Sequence, residues 1–114
     1  MPRFDFNNKT FSLLENSENG KVSSDTIFRY RQEGNLVTAD YEGGTIRYGK
    51  IIAKLDEDKL EMLYQCLTED GELKAGKAEA HIRMDENNKI RLLLDWQWLN
   101  DSTKKGTSEY VEVE

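Results

Sequence analysis

The sequence predicts a closed β-barrel built from eight consecutive antiparallel strands. Three observations lead to this prediction. The chain contains eight short apolar segments, it carries a turn signal at nearly every junction between them, and no connection is long enough for the crossover that a parallel strand pair needs. Most segments alternate apolar and polar residues, which is the period of a strand with one buried face. The 114 residues are enough for one core, so we expect a single domain over 1–114.

The predicted strands are separated by loops rich in glycine, asparagine and acidic residues. In chain order they span 10–15, 25–32, 36–41, 45–55, 60–67, 73–84, 90–99 and 107–114. The sixth is typical, because Ala78, Ala80 and Ile82 alternate with charged residues. Residues 56–65 also match a helix, since Leu60, Leu63 and Tyr64 have helical spacing. The β-branched residues that flank this stretch favour a strand there.

Closure follows from the number and kind of these strands. Eight antiparallel strands with one apolar face each can close on themselves, which removes exposed edges. The sole proline is Pro2, so every interior strand is free to pair. The prediction is therefore an up-and-down barrel of the lipocalin or avidin type. A two-sheet β-sandwich is the alternative.

Composition excludes several classes of partner. The formal net charge is −6 and no basic stripe is visible, which argues against nucleic-acid binding. The same lack of a polybasic patch, and of any run near the roughly 18 apolar residues of a membrane helix, argues against a membrane role. Cys66 is the only cysteine and residues 1–11 do not resemble a signal peptide. We therefore expect a cytoplasmic protein, whose oligomeric state the sequence leaves open.

A sequence repeat relates the fourth and the sixth predicted strands. Residues 44–55 and 71–82 both read G-x-[IL]-[RK]-x-G-K-x-x-A-x-[LI]. Each copy has an interior glycine, Gly49 or Gly76, and glycine in a strand relieves crowding or permits coiling. The copies differ where Arg47 in the first becomes Lys74 in the second. We expect the first copy to carry the site, if the protein has one.

Strand direction sorts the inner-face residues between two barrel ends. The lower end is the one with the longer loops, at 16–24, 42–44, 68–72 and 100–106, and the upper end has mostly plain apolar residues. The lower end is predicted to be an open mouth in which the interior glycines leave space for one small ligand. The predicted ligand-binding residues are Tyr41, Arg47, Tyr64, Trp96 and Trp98.

Arg47 is the most specific of these candidates for a ligand-binding role. A guanidinium on an inner face needs a partner, which is an internal carboxylate, an aromatic ring or an anionic ligand. The tryptophans and tyrosines have a simpler interpretation, because large aromatic side chains commonly fill barrel floors. Cys66 is interpreted as a small buried apolar residue.

No catalytic residue, cofactor or metal ligand is assigned. His81 is the only histidine and alternates with charged residues on a polar face. One histidine and one cysteine are a poor basis for a metal site. The sequence contains no nucleophile elbow, phosphate-binding loop or dinucleotide fingerprint. Whether the protein is an enzyme stays open, with binding favoured over catalysis.

The pattern over residues 26–113 resembles a family of small bacterial proteins of uncharacterised function, often labelled N-acetylglutamate synthase. The resemblance rests on Phe28, Tyr30, Gln32, Gly34, Tyr41, Gly43, Gly44, Ile46, Gly49, Tyr64, Gln65, Gly71, Gly76, Trp96, Trp98 and the Gly106-Thr107-Ser108 tail. The label implies acetyl transfer from acetyl-CoA, which requires a pyrophosphate-binding loop at a helix N-terminus. This chain offers neither, so the resemblance implies a family and not that activity.

Three functions are therefore compared. The leading hypothesis is a barrel that binds a small, anionic molecule in one mouth. The second is an enzyme, either the labelled acetyltransferase or a barrel isomerase or hydratase that uses tyrosine and arginine. The third is a protein-interaction barrel with a packed interior.

Overall fold

The computed structural model describes residues 4–16, 25–99 and 104–113, which form a closed eight-stranded barrel. The strands are β1 (Lys9–Asn16), β2 (Ile27–Glu33), β3 (Leu36–Gly43), β4 (Ile46–Asp56), β5 (Lys59–Thr68), β6 (Leu73–Met84), β7 (Ile90–Trp98) and β8 (Lys105–Val113). Each strand pairs antiparallel with the next, and β1 pairs with β8 to close the ring. The predicted meander barrel is confirmed, and neither the sandwich nor the helix over 56–65 is present.

The alternation read from the sequence sets the two faces of the barrel. In β6, buried Ala78, Ala80 and Ile82 alternate with exposed neighbours. One face of every strand therefore contributes to a single core inside the barrel. No helix among the described residues is long and apolar enough to cross a membrane.

The upper end is closed by the segment that precedes β1, which the sequence did not predict. Phe6 is fully buried, and its ring lies 6.0 Å from that of Phe11 and 5.6 Å from that of Tyr30. The Phe6 backbone N–H donates to Oε1 of Gln32 over 2.8 Å. Met84, at the end of β6, does not take part in this closure, because it is 49% exposed.

A carboxylate ties the last strand to this closed end. Glu112 accepts a hydrogen bond from the Ile90 backbone N–H over 3.1 Å and pairs with Lys9 over 3.2 Å. Because the pairing joins β1, β7 and β8 where the barrel closes, it fixes the closure at the upper end.

Candidate functional site at the lower mouth

Two consecutive rows of inner-face residues build the lower mouth. In the outer row, Tyr41 lies opposite Gly49, Gly49 opposite Cys66, and Cys66 opposite Lys74. The next row inward joins Tyr64, Gly76 and Trp98 across β5, β6 and β7. Of the predicted loops at 16–24 and 100–106, residues 17–24 and 100–103 lie outside the described residues. The site therefore rests on strand residues, whose positions the barrel register fixes.

The two interior glycines accommodate tyrosine rings. A Cβ on Gly49 would clash with the ring of Tyr41, and a Cβ on Gly76 would clash with the ring of Tyr64. In each pair an aromatic ring covers a glycine on the adjacent strand. This packing is consistent with the prediction that the glycines relieve crowding. The prediction that they leave space for a ligand is wrong, because the tyrosine rings fill that space.

Arg47 does not belong to the inner face, and that prediction is wrong. The pairing of β4 with β5 shifts between Ile46 and Tyr48, so Arg47 is the extra residue of a β-bulge. Ile46 pairs with Thr68 and is buried, whereas Arg47 is exposed. A strict period of two cannot anticipate a bulge, which moves every residue beyond it to the opposite face.

Lys74 supplies the cation that was assigned to Arg47. Its ammonium lies 5.2 Å from the centre of a Trp98 ring, which is within the range of a cation–π contact. Its side chain is only 16% exposed, and Glu72 lies 3.6 Å away. The repeat contained this signal, because Lys74 occupies the same position in the second copy as Arg47 does in the first.

The two tryptophans differ in their surroundings. Trp96 is 6% exposed, and its indole N–H donates to the Ser108 hydroxyl over 2.8 Å inside the barrel. Trp98 is 7% exposed, contacts Tyr64 edge to face at 5.7 Å, and carries the Lys74 ammonium over its ring. The structure thus brings Tyr64, Trp96 and Trp98 together, with Trp98 nearer the opening.

The tyrosine hydroxyls inside the barrel stay protonated at neutral pH. Burial raises the pKa values of Tyr41, Tyr64 and Tyr110 far above the ordinary value of 10.0. The Tyr41 hydroxyl donates to the Gln65 carbonyl over 3.3 Å. The half-buried Tyr64 hydroxyl, by contrast, has no hydrogen-bond partner among the described residues. The mouth therefore offers a hydrogen-bond donor but no tyrosinate base.

Other reactive groups do not complete a catalytic set here. Burial raises the pKa of the Cys66 thiol, which disfavours the nucleophilic thiolate. His81 is exposed and lies beside Glu79 on the outer face, away from the mouth. Within the described residues, no group of histidine, cysteine and carboxylate side chains could hold a metal ion.

Comparison with known proteins adds one finding to this geometry. Residues 4–113 match the family model described as Avidin-like protein. The match covers all eight strands as well as the segment that closes the upper end. No curated protein and no solved structure matches the chain.

Proposed function

We propose that this chain, which belongs to the avidin-like protein family, binds a small carboxylate-bearing molecule in the lower mouth of its barrel. Eight-stranded barrels of this type can hold one small ligand, and biotin–streptavidin is among the tightest complexes known. The family and the fold support ligand binding in general. The class of ligand is argued from the residues of the mouth.

One observation carries the proposal. Trp98 contacts the Tyr64 ring edge to face at 5.7 Å and lies 5.2 Å from the ammonium of Lys74, whose side chain is 16% exposed. An apolar pocket with a few convergent polar groups is the usual form of a small-molecule site. Lys74 suits an anionic group, and Tyr64 can donate a hydrogen bond to the same ligand. Tyr41 and Trp96 are buried in the barrel interior beside these residues, whereas Arg47 is exposed on the outside.

Binding is favoured over catalysis by the protonation states in the mouth. A general base must lose its proton near the working pH, and burial moves the tyrosine and cysteine pKa values away from neutrality. If the protein is instead the labelled acetyltransferase, acetyl-CoA should raise its melting temperature in a thermal-shift assay. A rise with acetyl-CoA would favour the enzyme over a simple binding barrel.

The binding proposal is tested by tryptophan fluorescence and calorimetry with biotin and simple aromatic carboxylates. Lys74→Met should weaken binding about tenfold to a hundredfold, because a hydrogen bond to a charged group contributes about 1.5–3 kcal/mol. Tyr64→Phe removes only the hydroxyl and should weaken binding about three- to tenfold.

Lys50→Met is the matched control, because Lys50 lies on the outer face of β4 and pairs with Asp40 at 3.1 Å. It makes the same change of charge and should leave the affinity unchanged. If Lys74→Met and Tyr64→Phe bind as tightly as the unmodified chain, the lower mouth is not the site. If no carboxylate binds, the packed protein-interaction barrel becomes the better hypothesis.

A further inference from the structure

A carboxylate lies beside the cation of the lower mouth. The Oε2 atom of Glu72 is 3.6 Å from the Nζ atom of Lys74, whose ammonium also lies over the Trp98 ring. The Trp98 ring in turn contacts Tyr64 edge to face at 5.7 Å. The mouth therefore combines one negative charge, one positive charge and an aromatic surface.

A second ion pair, on the outer face of β6, shows how the mouth pair differs from an ordinary one. There Glu79 lies 3.5 Å from Lys59, whose side chain is 43% exposed. The carboxylates of Glu72 and Glu79 are each about half exposed, but the Lys74 side chain is only 16% exposed. A charge shielded from water attracts an opposite charge more strongly. Lys74 is therefore the better of the two lysines for binding an anionic group.

The turn between β5 and β6 holds the backbone of Glu72 in place. The Glu72 N–H donates to the Thr68 hydroxyl over 2.9 Å, and the Glu72 carbonyl accepts from the Thr68 N–H over 2.9 Å. Thr68 is itself buried. The position from which the Glu72 side chain starts is thus fixed, while its half-exposed carboxylate can change rotamer and move away from Lys74.

We propose that the lower mouth binds a zwitterion, namely an α-amino acid with an apolar side chain. This inference rests on the proposed binding of a carboxylate beside Lys74. In it, the ligand carboxylate binds Lys74 and the ligand ammonium binds Glu72, through hydrogen bonds between charged groups. The apolar side chain packs against the Trp98 ring.

The ion pair is the reason why a zwitterion suits this mouth better than a simple anion. An anion that separates Glu72 from Lys74 places its own charge next to the Glu72 carboxylate, and like charges placed side by side weaken binding. A zwitterion leaves every charge with a partner of opposite sign. The carboxylate and ammonium of an amino acid are attached to the same carbon, so they can reach two protein groups that are neighbours.

The test is calorimetry with three probes that are nearly equal in size. L-phenylalanine carries both charges, 3-phenylpropanoate lacks the ammonium, and L-phenylalaninamide lacks the carboxylate. The unmodified chain should bind L-phenylalanine about tenfold more tightly than either of the others, because each of them loses one hydrogen bond between charged groups. Glu72→Gln should bind L-phenylalanine about tenfold more weakly and 3-phenylpropanoate more tightly, because the negative charge is gone.

Glu79→Gln is the matched control, because it makes the same change at a similarly exposed carboxylate that pairs with a lysine outside the barrel. This variant should keep the order of the three affinities. The zwitterion is ruled out if L-phenylalanine does not bind, if 3-phenylpropanoate binds the unmodified chain as tightly, or if Glu72→Gln keeps the preference for L-phenylalanine.

These results are distinguishable from a failure of the proposed function. Where 3-phenylpropanoate or biotin binds and Lys74→Met weakens that binding, a carboxylate site exists whether or not Glu72 binds an ammonium. Where no carboxylate binds to the unmodified chain, the carboxylate site and the zwitterion site are both overturned.

Discussion

At the upper end of the barrel the segment that precedes β1 covers the core with Phe6, whereas at the lower end the described strands line the opening with inner-face side chains. The upper end satisfies its polar groups internally, through Phe6 to Gln32 and Ile90 to Glu112. The lower end keeps a hydroxyl on Tyr64 without a partner among the described residues, and holds an ammonium on Lys74 over an aromatic ring. The difference supports the proposal that a ligand binds at the lower end and not at the upper end.

The largest expected effect is at the upper end. Phe6→Ala should lower the free energy of unfolding by about 3–5 kcal/mol, because the residue is fully buried between Phe11 and Tyr30. Urea denaturation measures this change. Leu73→Ala, at an 81% exposed position, is the control and should change stability by less than about 0.5 kcal/mol. Equal losses for both variants would contradict a closed upper end.

A smaller effect on the free energy of unfolding is expected for substitutions of the two glycines of the lower mouth. Gly49→Ala should cost about 1–3 kcal/mol, because the ring it would strike belongs to the buried Tyr41. Gly76→Ala should cost less, since the half-buried Tyr64 can turn towards solvent. Urea denaturation measures both changes. Adding Tyr41→Val to Gly49→Ala should show favourable coupling in a double-mutant cycle. Additive losses would mean that the ring and the glycine do not contact each other.

The sequence predicted most of the architecture because the strand period is regular. Ends of strands moved by at most two residues, as in β2, which spans Ile27–Glu33 where 25–32 was expected. β6 spans Leu73–Met84 as expected. Arg47 was misplaced because a bulge inserts one residue that pattern counting cannot see. The sequence did not predict that the segment before β1 closes the upper end, because Phe4–Phe6 form no strand and no periodic pattern indicates their burial. Lys74 was underrated because its proximity to Trp98 depends on cross-strand register.

The smallest effect is expected in the titration of the tyrosines. Burial raises the pKa values of Tyr30, Tyr41, Tyr64 and Tyr110 above the ordinary 10.0. A raised pKa in the folded state contributes stability that is complete below pH 10.0 and is lost as the pH rises above it. The absorbance of these four tyrosinates should therefore rise together with alkaline unfolding, separately from that of the exposed Tyr48. Ionisation of these residues near pH 10.0 in a chain with native circular dichroism would contradict their burial.

The most direct test of the central claim uses the two tryptophans as reporters of the lower mouth. Native mass spectrometry of protein purified without denaturation identifies a bound small molecule, and biotin or an aromatic carboxylate replaces it where none co-purifies. Nitrogen-15 NMR then follows the indole N–H signals and the Phe6 amide during titration. Binding in the lower mouth predicts the largest shift at Trp98, a smaller one at Trp96, and none at Phe6. No shift at Trp98, or a dominant shift at Phe6, would contradict it.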